Sequence, residues 1–213
     1  MKYCTKTKYL KKLFITFEGI DRSGKSTQAQ KLYNYLKKKK EKVILVREPG
    51  GTNISEKIRH ILLDKTNRKM FSLTEFLLFS ASRHQLTEEI IKPKLKAGYY
   101  VICDRYFDSS TAYQGYGGKI NTRIIETINK IATKNLQPDI SFLIDIDVKE
   151  RQRRLILSGR GKDRMEAKDI SYHQKVISGF RKIARTNKKR FKIIDGKKDK
   201  EDIHIEIKKI IKI

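Results

Sequence analysis

Apolar residues along this chain fall into two alternating patterns. Short runs that are apolar at nearly every position, Leu13 to Phe17, Val43 to Val46, Tyr100 to Cys103, Ile140 to Ile144 and Phe191 to Ile194, are rich in β-branched and aromatic side chains. Runs of that length without a polar face are what strands buried on both sides look like. Between them lie longer stretches whose apolar residues recur every three or four positions, the mark of amphipathic helices. Lys25 to Lys38 carries Ala29, Leu32, Tyr33 and Leu36 in this way, and Ser72 to Lys96, Asn121 to Asn135, Lys149 to Leu157, Lys168 to Asn187 and Lys200 to Ile211 are similar. No repeat and no Gly/Ser- or Pro-rich linker interrupts the alternation, so the pattern predicts one domain over residues 1–213. Its expected architecture is an open, doubly wound α/β fold, a parallel sheet of about five strands with helices on both faces. Right-handed crossovers then put a ligand site at the carboxyl ends of the strands.

A phosphate-binding signature sits at one such strand end. Phe17-Glu18-Gly19-Ile20-Asp21-Arg22-Ser23-Gly24-Lys25-Ser26-Thr27 fits G-x-x-x-x-G-K-[ST] directly after the first strand, at 12–18, and directly before the first helix. That is the context the motif requires. Gly19 and Gly24 let the backbone turn so that N–H groups of the 19–27 loop face a β-phosphate, Lys25 bridges β- and γ-oxygens, and the Ser26 hydroxyl ligates magnesium. ATP and Mg2+ are the cofactors this loop calls for. Guanine recognition would need Asn-Lys-x-Asp, and the nearest run, Asn129-Lys-Ile-Ala132, lacks the acid. That argues against a GTPase.

Two further segments fit phosphoryl transfer. In Val101-Ile-Cys-Asp104-Arg105-Tyr106 a carboxylate ends a buried strand beside a guanidinium; the first can hold magnesium and the second can clamp a phosphate, although a structural salt bridge would use the same pair. Ser158-Gly-Arg160-Gly-Lys162-Asp163-Arg164-Met-Glu166 is punctuated by two glycines and reads as a short lid, 158–167. Closing, it would exclude water and bring Arg160 or Arg164 onto the transferring phosphoryl group; a solvated basic loop is the other reading.

Composition changes the picture less than its numbers suggest. The formal net charge is +26, and such basicity makes nucleic acid a legitimate partner class. Lysines are nevertheless spread along the whole chain, and runs such as Lys37 to Lys40 and Lys197 to Lys200 lack interleaved aromatics that could stack on bases. They read as solvated surface, with no specific nucleic acid as partner. The two cysteines, Cys4 and Cys103, are too few for a disulfide framework or a zinc site and read as inert thiols. The apolar stretch after the basic N-terminus is too short for a signal-peptide core, and no run is long enough for a membrane span, so cytoplasm is the expected location.

Five ordered blocks between Leu13 and Ile194 resemble the thymidylate kinase family in its bacterial form. They are the P-loop, Arg47-Glu-Pro-Gly-Gly-Thr52, Leu77-Leu-Phe-Ser-Ala-Ser-Arg83, Asp104-Arg-Tyr106 through Ala112-Tyr-Gln-Gly115, and Asp163-Arg-Met-Glu166. The resemblance implies transfer of the γ-phosphoryl group of ATP to dTMP, giving dTDP and ADP for DNA precursor synthesis. It implies that Phe79 stacks on thymine and that Arg83, one helical turn later on the same face, hydrogen-bonds a base carbonyl. On the residues alone, Phe79 reads as core and Arg83 as a solvated charge. The same resemblance gives Arg47 and Arg105 to the dTMP phosphate, Asp21 to the 3′-hydroxyl or the magnesium–phosphate cluster, and Asp104 to magnesium. Tyr113 would lie beneath the deoxyribose where a 2′-hydroxyl would otherwise fit, with Ser110 and Gln114 lining the same pocket. A homodimer formed through the helices around Thr74 to Leu95 is also implied. Arg22 is a departure, because a basic P-loop residue is the eukaryotic-type habit whereas many bacterial members place that arginine in the lid. This chain carries both, so Arg22, Arg160 and Arg164 join Lys25, Asp21 and Arg105 as candidate catalytic residues. A deoxynucleoside kinase and a basic, nucleic-acid-binding P-loop ATPase are the alternative readings.

Overall fold

A computed structural model describes residues 12–159 and 161–212. Five parallel strands, β1 (Phe14–Glu18), β2 (Val43–Arg47), β3 (Tyr100–Asp104), β4 (Ile140–Asp145) and β5 (Phe191–Asp195), form one sheet in the order β2-β3-β1-β4-β5. β1 lies at the centre, with Phe14 opposite Val101 on one side and Ile15 opposite Ile140 on the other. Every β1 residue is buried, which is why Phe-Ile-Thr-Phe shows no polar face. Each strand also runs one residue past its apolar run into a charged side chain, Glu18, Arg47, Asp104, Asp145 or Asp195. The sheet's carboxyl edge is thus lined with ionisable groups.

Alternation along the strands divides the core. Ile15, Phe17, Ile102, Phe142 and Ile144 meet Ala29, Leu32 and Leu36 of α1 (Lys25–Lys38) and Ile203, Ile207 and Ile211 of α9 (Lys200–Ile211). On the opposite face Phe14, Val101 and Cys103 pack with Leu86, Ile91 and Tyr106, while Leu143 joins Tyr113, Val176 and Phe180. The only polar pair bridging β1 and β4 in the described hydrogen bonds is the Thr16 hydroxyl donating to Ser141 Oγ at 2.7 Å. Cys103 is fully buried, and burial pushes its thiol well above the ordinary range, as expected of an inert packing residue; Cys4 lies outside the described residues.

The remaining helical segments carry Phe79, Arg83, Ser110, Tyr113 and Gln114 among their residues. They are α2 (Asn53–Leu63), α3 (Ser72–Leu86), a π-helical turn (Thr87–Ile91), α4 (Lys92–Lys96), α5 (Phe107–Ser110), a second π-helical stretch (Thr111–Gly117), α6 (Thr122–Thr133), α7 (Val148–Leu157) and α8 (Ile170–Thr186). The stretch Ser72 to Lys96, expected as one helix, is divided because Pro93 has no N–H to give a carbonyl one turn back, and the wider π turn precedes it. α2 was not legible in the apolar pattern, since Ile54 and Ile61 face outward. Its start is written in polar chemistry instead: Thr52 Oγ1 caps it by accepting from the Ser55 N–H at 3.1 Å. No described helix is long and apolar enough to cross a membrane.

Candidate active site

The P-loop leaves β1 through Gly19 and enters α1 through Gly24. Gly19 has φ 141°, and a Cβ there would stand 2.6 Å from the Ile144 carbonyl oxygen; Gly24 has φ 97° and caps α1. Neither place tolerates a side chain without strain. Arg154 of α7 braces the loop, donating to the carbonyls of Arg22 at 3.2 Å and Ser23 at 2.9 Å. The unpaired N–H groups of the first turn of α1 then form the start of an anion site. Lys25 is buried, its Nζ 3.9 Å from Asp104 Oδ1. Burial, reinforced by Arg105, lowers its ammonium from the ordinary lysine range despite three acidic neighbours.

Ser26 and Asp104 line one cleft. Asp104 Oδ1 is buried and accepts no hydrogen bond, a lone-pair site of the kind a hard cation fills. No group of three or more acidic, His or Cys residues capable of caging a metal occurs among the described residues. One hydroxyl and one carboxylate fit magnesium, which keeps waters and substrate phosphates in its shell.

Beside the P-loop a cavity is lined by Asp21, Phe79, Arg83, Arg105, Ser110, Tyr113 and Gln114, seven residues singled out from sequence. Arg105 donates to Asp21 Oδ1 and, at 2.7 Å, to the Gly19 carbonyl; Tyr113 donates to Asp21 Oδ2 at 2.7 Å. The cavity and the P-loop are therefore joined through Asp21. Burial would raise the Asp21 carboxyl, but Arg105, Lys25 and the Tyr113 hydroxyl outweigh it and hold the group well below the usual carboxylate range.

Arg83 is not the solvated charge its residue type suggests. It is 2% exposed, with Nε on Glu48 at 2.8 Å, Nη1 on Asn129 Oδ1 at 2.9 Å and Nη2 on Ser110 Oγ at 2.9 Å. These bonds fix the guanidinium plane one turn along α3 from Phe79. Burial raises the Glu48 carboxyl to about 7, with Arg83 pulling it down. Glu18, beneath the site, is raised to about 8 by burial and by Asp108, and accepts from Tyr106 N–H and Ser109 Oγ.

Two placements depart from expectation. Arg47, assigned to the acceptor phosphate, is not in this cavity; at the end of β2 it turns outward to Glu56, 2.9 Å away, and lines the cleft of Ser26 and Asp104. The cavity holds Arg59 of α2 instead, which donates to the Pro49 carbonyl at 2.8 Å. Arg164, assigned to the transferring phosphoryl group, is committed elsewhere: Nη1 meets Glu75 at 2.6 Å and Nε the Leu62 carbonyl at 2.7 Å. Glu75, 2% exposed, also accepts from Gln114 at 2.9 Å. Arg22 reaches across to the 158–167 segment, gripping Glu166 with Nε at 2.9 Å and Nη2 at 3.2 Å and Ser158 with Nη1 at 3.0 Å. Arg160 lies outside the described residues. Sequence reasoning also missed Glu48, Glu75, Asn129 and Arg154, each a buried or bracing partner of a residue it found.

The chain matches known proteins along most of its length. The sequence profile described as thymidylate kinase matches residues 17–207. The thymidylate kinase of Sulfurihydrogenibium sp. (strain YO3AOP1) is 49% identical over 191 residues, covering 90% of this chain and 92% of that one. That of Thermosipho africanus (strain TCF52B) is 47% identical over 199 residues, covering 93% and 97%. The crystal structure of thymidylate kinase from Ehrlichia chaffeensis superposes with a TM-score of 0.77 at 36% identity, covering 94% of this chain and 98% of that one. With the P-loop, the acceptor cavity and these matches in agreement, the chain belongs to the thymidylate kinase family.

Proposed function

We propose that this protein transfers the γ-phosphoryl group of ATP to dTMP, giving dTDP and ADP for DNA precursor synthesis. The observation that carries the reading is the joined pair of sites: a P-loop with buried Lys25, and next to it a cavity whose lining brings together an aromatic ring, the fixed guanidinium of Arg83, Arg59 and Arg105. Phosphoryl transfer to an already ionised phosphate needs no base, so catalysis rests on positioning and charge neutralisation. Phe79 stacks on thymine, and the N–H of Arg83 Nη1 left over from Asn129 addresses a base carbonyl. Arg59 and Arg105 hold the acceptor phosphate, and Asp21 keeps Arg105 and Tyr113 aligned beneath the sugar. Lys25 bridges the β- and γ-oxygens of ATP. Magnesium bound between Ser26 and Asp104 would offset charge on the β- and γ-phosphates. The 158–167 segment acts as the lid, and Arg22 couples the P-loop to it through Glu166.

A homodimer fits the surface. α3 packs between α2 and α6, and all three leave apolar residues uncovered: Ile54 and Ile61, Leu73 and Leu77, Ile124 and Ile131, the last 68% exposed. Exposed apolar side chains on three neighbouring helices suit an interface, and a second copy is the occupant; Leu77→Glu is expected to give a monomer in sedimentation equilibrium. Isothermal titration tests the base site: dTMP binds the wild type more tightly than dCMP, and Arg83→Ala removes the difference. Equal affinity of the wild type for both would reject the Phe79–Arg83 assignment.

A further inference from the structure

The sheet's two edges differ sharply in charge. At the carboxyl edge several cations are paired with acids: Arg22 with Glu166, Arg105 with Asp21, Lys197 with Asp147. In a parallel sheet each crossover returns the chain to the amino edge, so the ends of α1, α4, α6, α8 and α9 and the turns into the next strands gather there. That edge is almost purely basic. β2 is preceded by Lys37 to Lys40 and Lys42, all exposed. Lys94 and Lys96 precede β3, and exposed Lys188 and Lys189 precede β5, with Lys209 and Lys212 at the end of α9. The acids that reach it are taken: Glu41 by Lys12 at 2.6 Å, Asp139 by the Phe14 N–H at 2.8 Å, and Glu88 by Lys92 at 2.8 Å and by Lys134 of the edge itself at 3.6 Å. Five strands at about 4.8 Å spacing make this edge roughly 20 Å wide.

Two features accompany this charge. First, α1, α6 and α9 each end near a residue in the left-handed region, where glycine is the usual choice. Here those residues are Lys40 (φ 59°), Lys134 (φ 47°) and Lys212 (φ 54°), a conformation Lys119 (φ 60°) also takes ahead of α6, each at about 1 kcal/mol of backbone strain. Second, the fold supplies the aromatics that the linear sequence lacks. Tyr35 is flanked by Lys39 at 5.3 Å and Lys208 at 5.2 Å, and Tyr99 by Lys94 at 4.8 Å and Lys42 at 6.0 Å, lysines drawn from separate elements. Of the exposed large apolar side chains only Ile131, in the last turn of α6, falls in these segments, so the edge offers lysine and tyrosine and a single apolar side chain to a lipid surface.

We infer that the amino edge of the sheet, opposite the active site, is a docking surface for the phosphate backbone of nucleic acid, without sequence preference. A positively charged surface that tracks the phosphates is what sequence-independent nucleic-acid binding uses. The inference does not depend on which monophosphate the kinase accepts. It sharpens the reading of net charge: the basicity is polarised, and its partner is a polyanion rather than the nucleotide substrate.

Fluorescence anisotropy of a labelled mixed-sequence single strand of about 20 nucleotides, titrated across salt, tests it. The wild type binds, with log K falling linearly in log salt. Lys37→Glu/Lys38→Glu/Lys40→Glu weakens binding at least about tenfold and flattens the salt slope by about 2, from 0.7 per lost phosphate contact. The control Lys65→Glu/Arg68→Glu/Lys69→Glu, in the loop after α2, where Lys65 and Arg68 line a cleft with Arg164, makes the same charge change elsewhere and leaves affinity within about threefold. Kinase activity at the wild-type level certifies that the first variant is folded; if it is not, the three Lys→Gln changes give the same ordering with a smaller loss. Absence of binding by the wild type, equal losses in both charge-reversal variants, or tighter binding to phosphatidylserine vesicles than to the oligonucleotide would each overturn the inference.

Discussion

Glu75→Gln tests how the lid-side anchor and the acceptor cavity are coupled. The carboxylate is 2% exposed and takes Arg164 at 2.6 Å, Gln114 at 2.9 Å and Lys168 at 3.2 Å. An amide keeps the volume but loses the charge and offers one acceptor where there were two. If its oxygen stays with Arg164, its NH2 faces Gln114, whose own amide must turn over and present its opposite end to the cavity. Removing one partner of a buried pair outright costs about 3–5 kcal/mol; with one acceptor retained, and Lys168 partly solvated, about 2–3 kcal/mol is expected, the range of a charged hydrogen bond. For 213 residues the unfolding entropy is about 0.45 kcal/mol/K. The melting temperature should therefore fall by about 4–7 °C, and KM for dTMP should rise while KM for ATP stays put. Differential scanning calorimetry and steady-state kinetics read the two effects. An unchanged melting temperature together with an unchanged KM for dTMP would refute the coupling.

Arg83→Ala should lower kcat/KM for dTMP about 10- to 150-fold, the equivalent of about 1.5–3 kcal/mol, with KM for ATP nearly constant; retention of wild-type kcat/KM would exclude Arg83 from base recognition. Tyr113→Ala opens the volume beneath the sugar and should raise the ribose-to-deoxyribose activity ratio even as total activity falls, because the hydroxyl bonded to Asp21 is lost as well; an unchanged ratio would count against that placement. Arg22→Gly releases the P-loop from Glu166 and Ser158, and we expect its single-turnover rate to drop more than about tenfold, roughly 1.4 kcal/mol of barrier. A smaller loss would make the bridge structural.

How far the sequence carried depended on what each residue's neighbours had to be. Strands and the P-loop were legible because their signals are local: β1 is apolar on both faces, and Gly19 and Gly24 sit where a side chain would strike backbone or strain it. α2 was not, because Ile54 and Ile61 turn their apolar stripe outward and its cap is a threonine inside a glycine block. The cavity side of the site came from motif resemblance, and its ring and arginine converge in space. The two departures share one cause: which way a long cation points is decided by a partner outside its own element. Arg47 follows Glu56, and Arg164 follows Glu75, 89 residues away in sequence. Arg59 carried a local signal that was overlooked, standing three residues after Glu56 on the helix that follows the glycine block. The basic edge was invisible for the same reason in reverse, since Tyr35 and Lys208 become neighbours only when α1 and α9 pack.

The most direct test of the account is acceptor choice. Purified protein with ATP and magnesium is offered dTMP, thymidine and the other deoxynucleoside monophosphates in separate reactions, and ADP release is followed by enzyme coupling with product identity checked by 31P NMR. The account predicts dTDP and ADP in equal amounts from dTMP, much slower turnover of the other monophosphates, none of thymidine, and loss of activity on chelating magnesium. Phosphorylation of thymidine in preference to dTMP, or ADP release that requires DNA and no monophosphate, would contradict it.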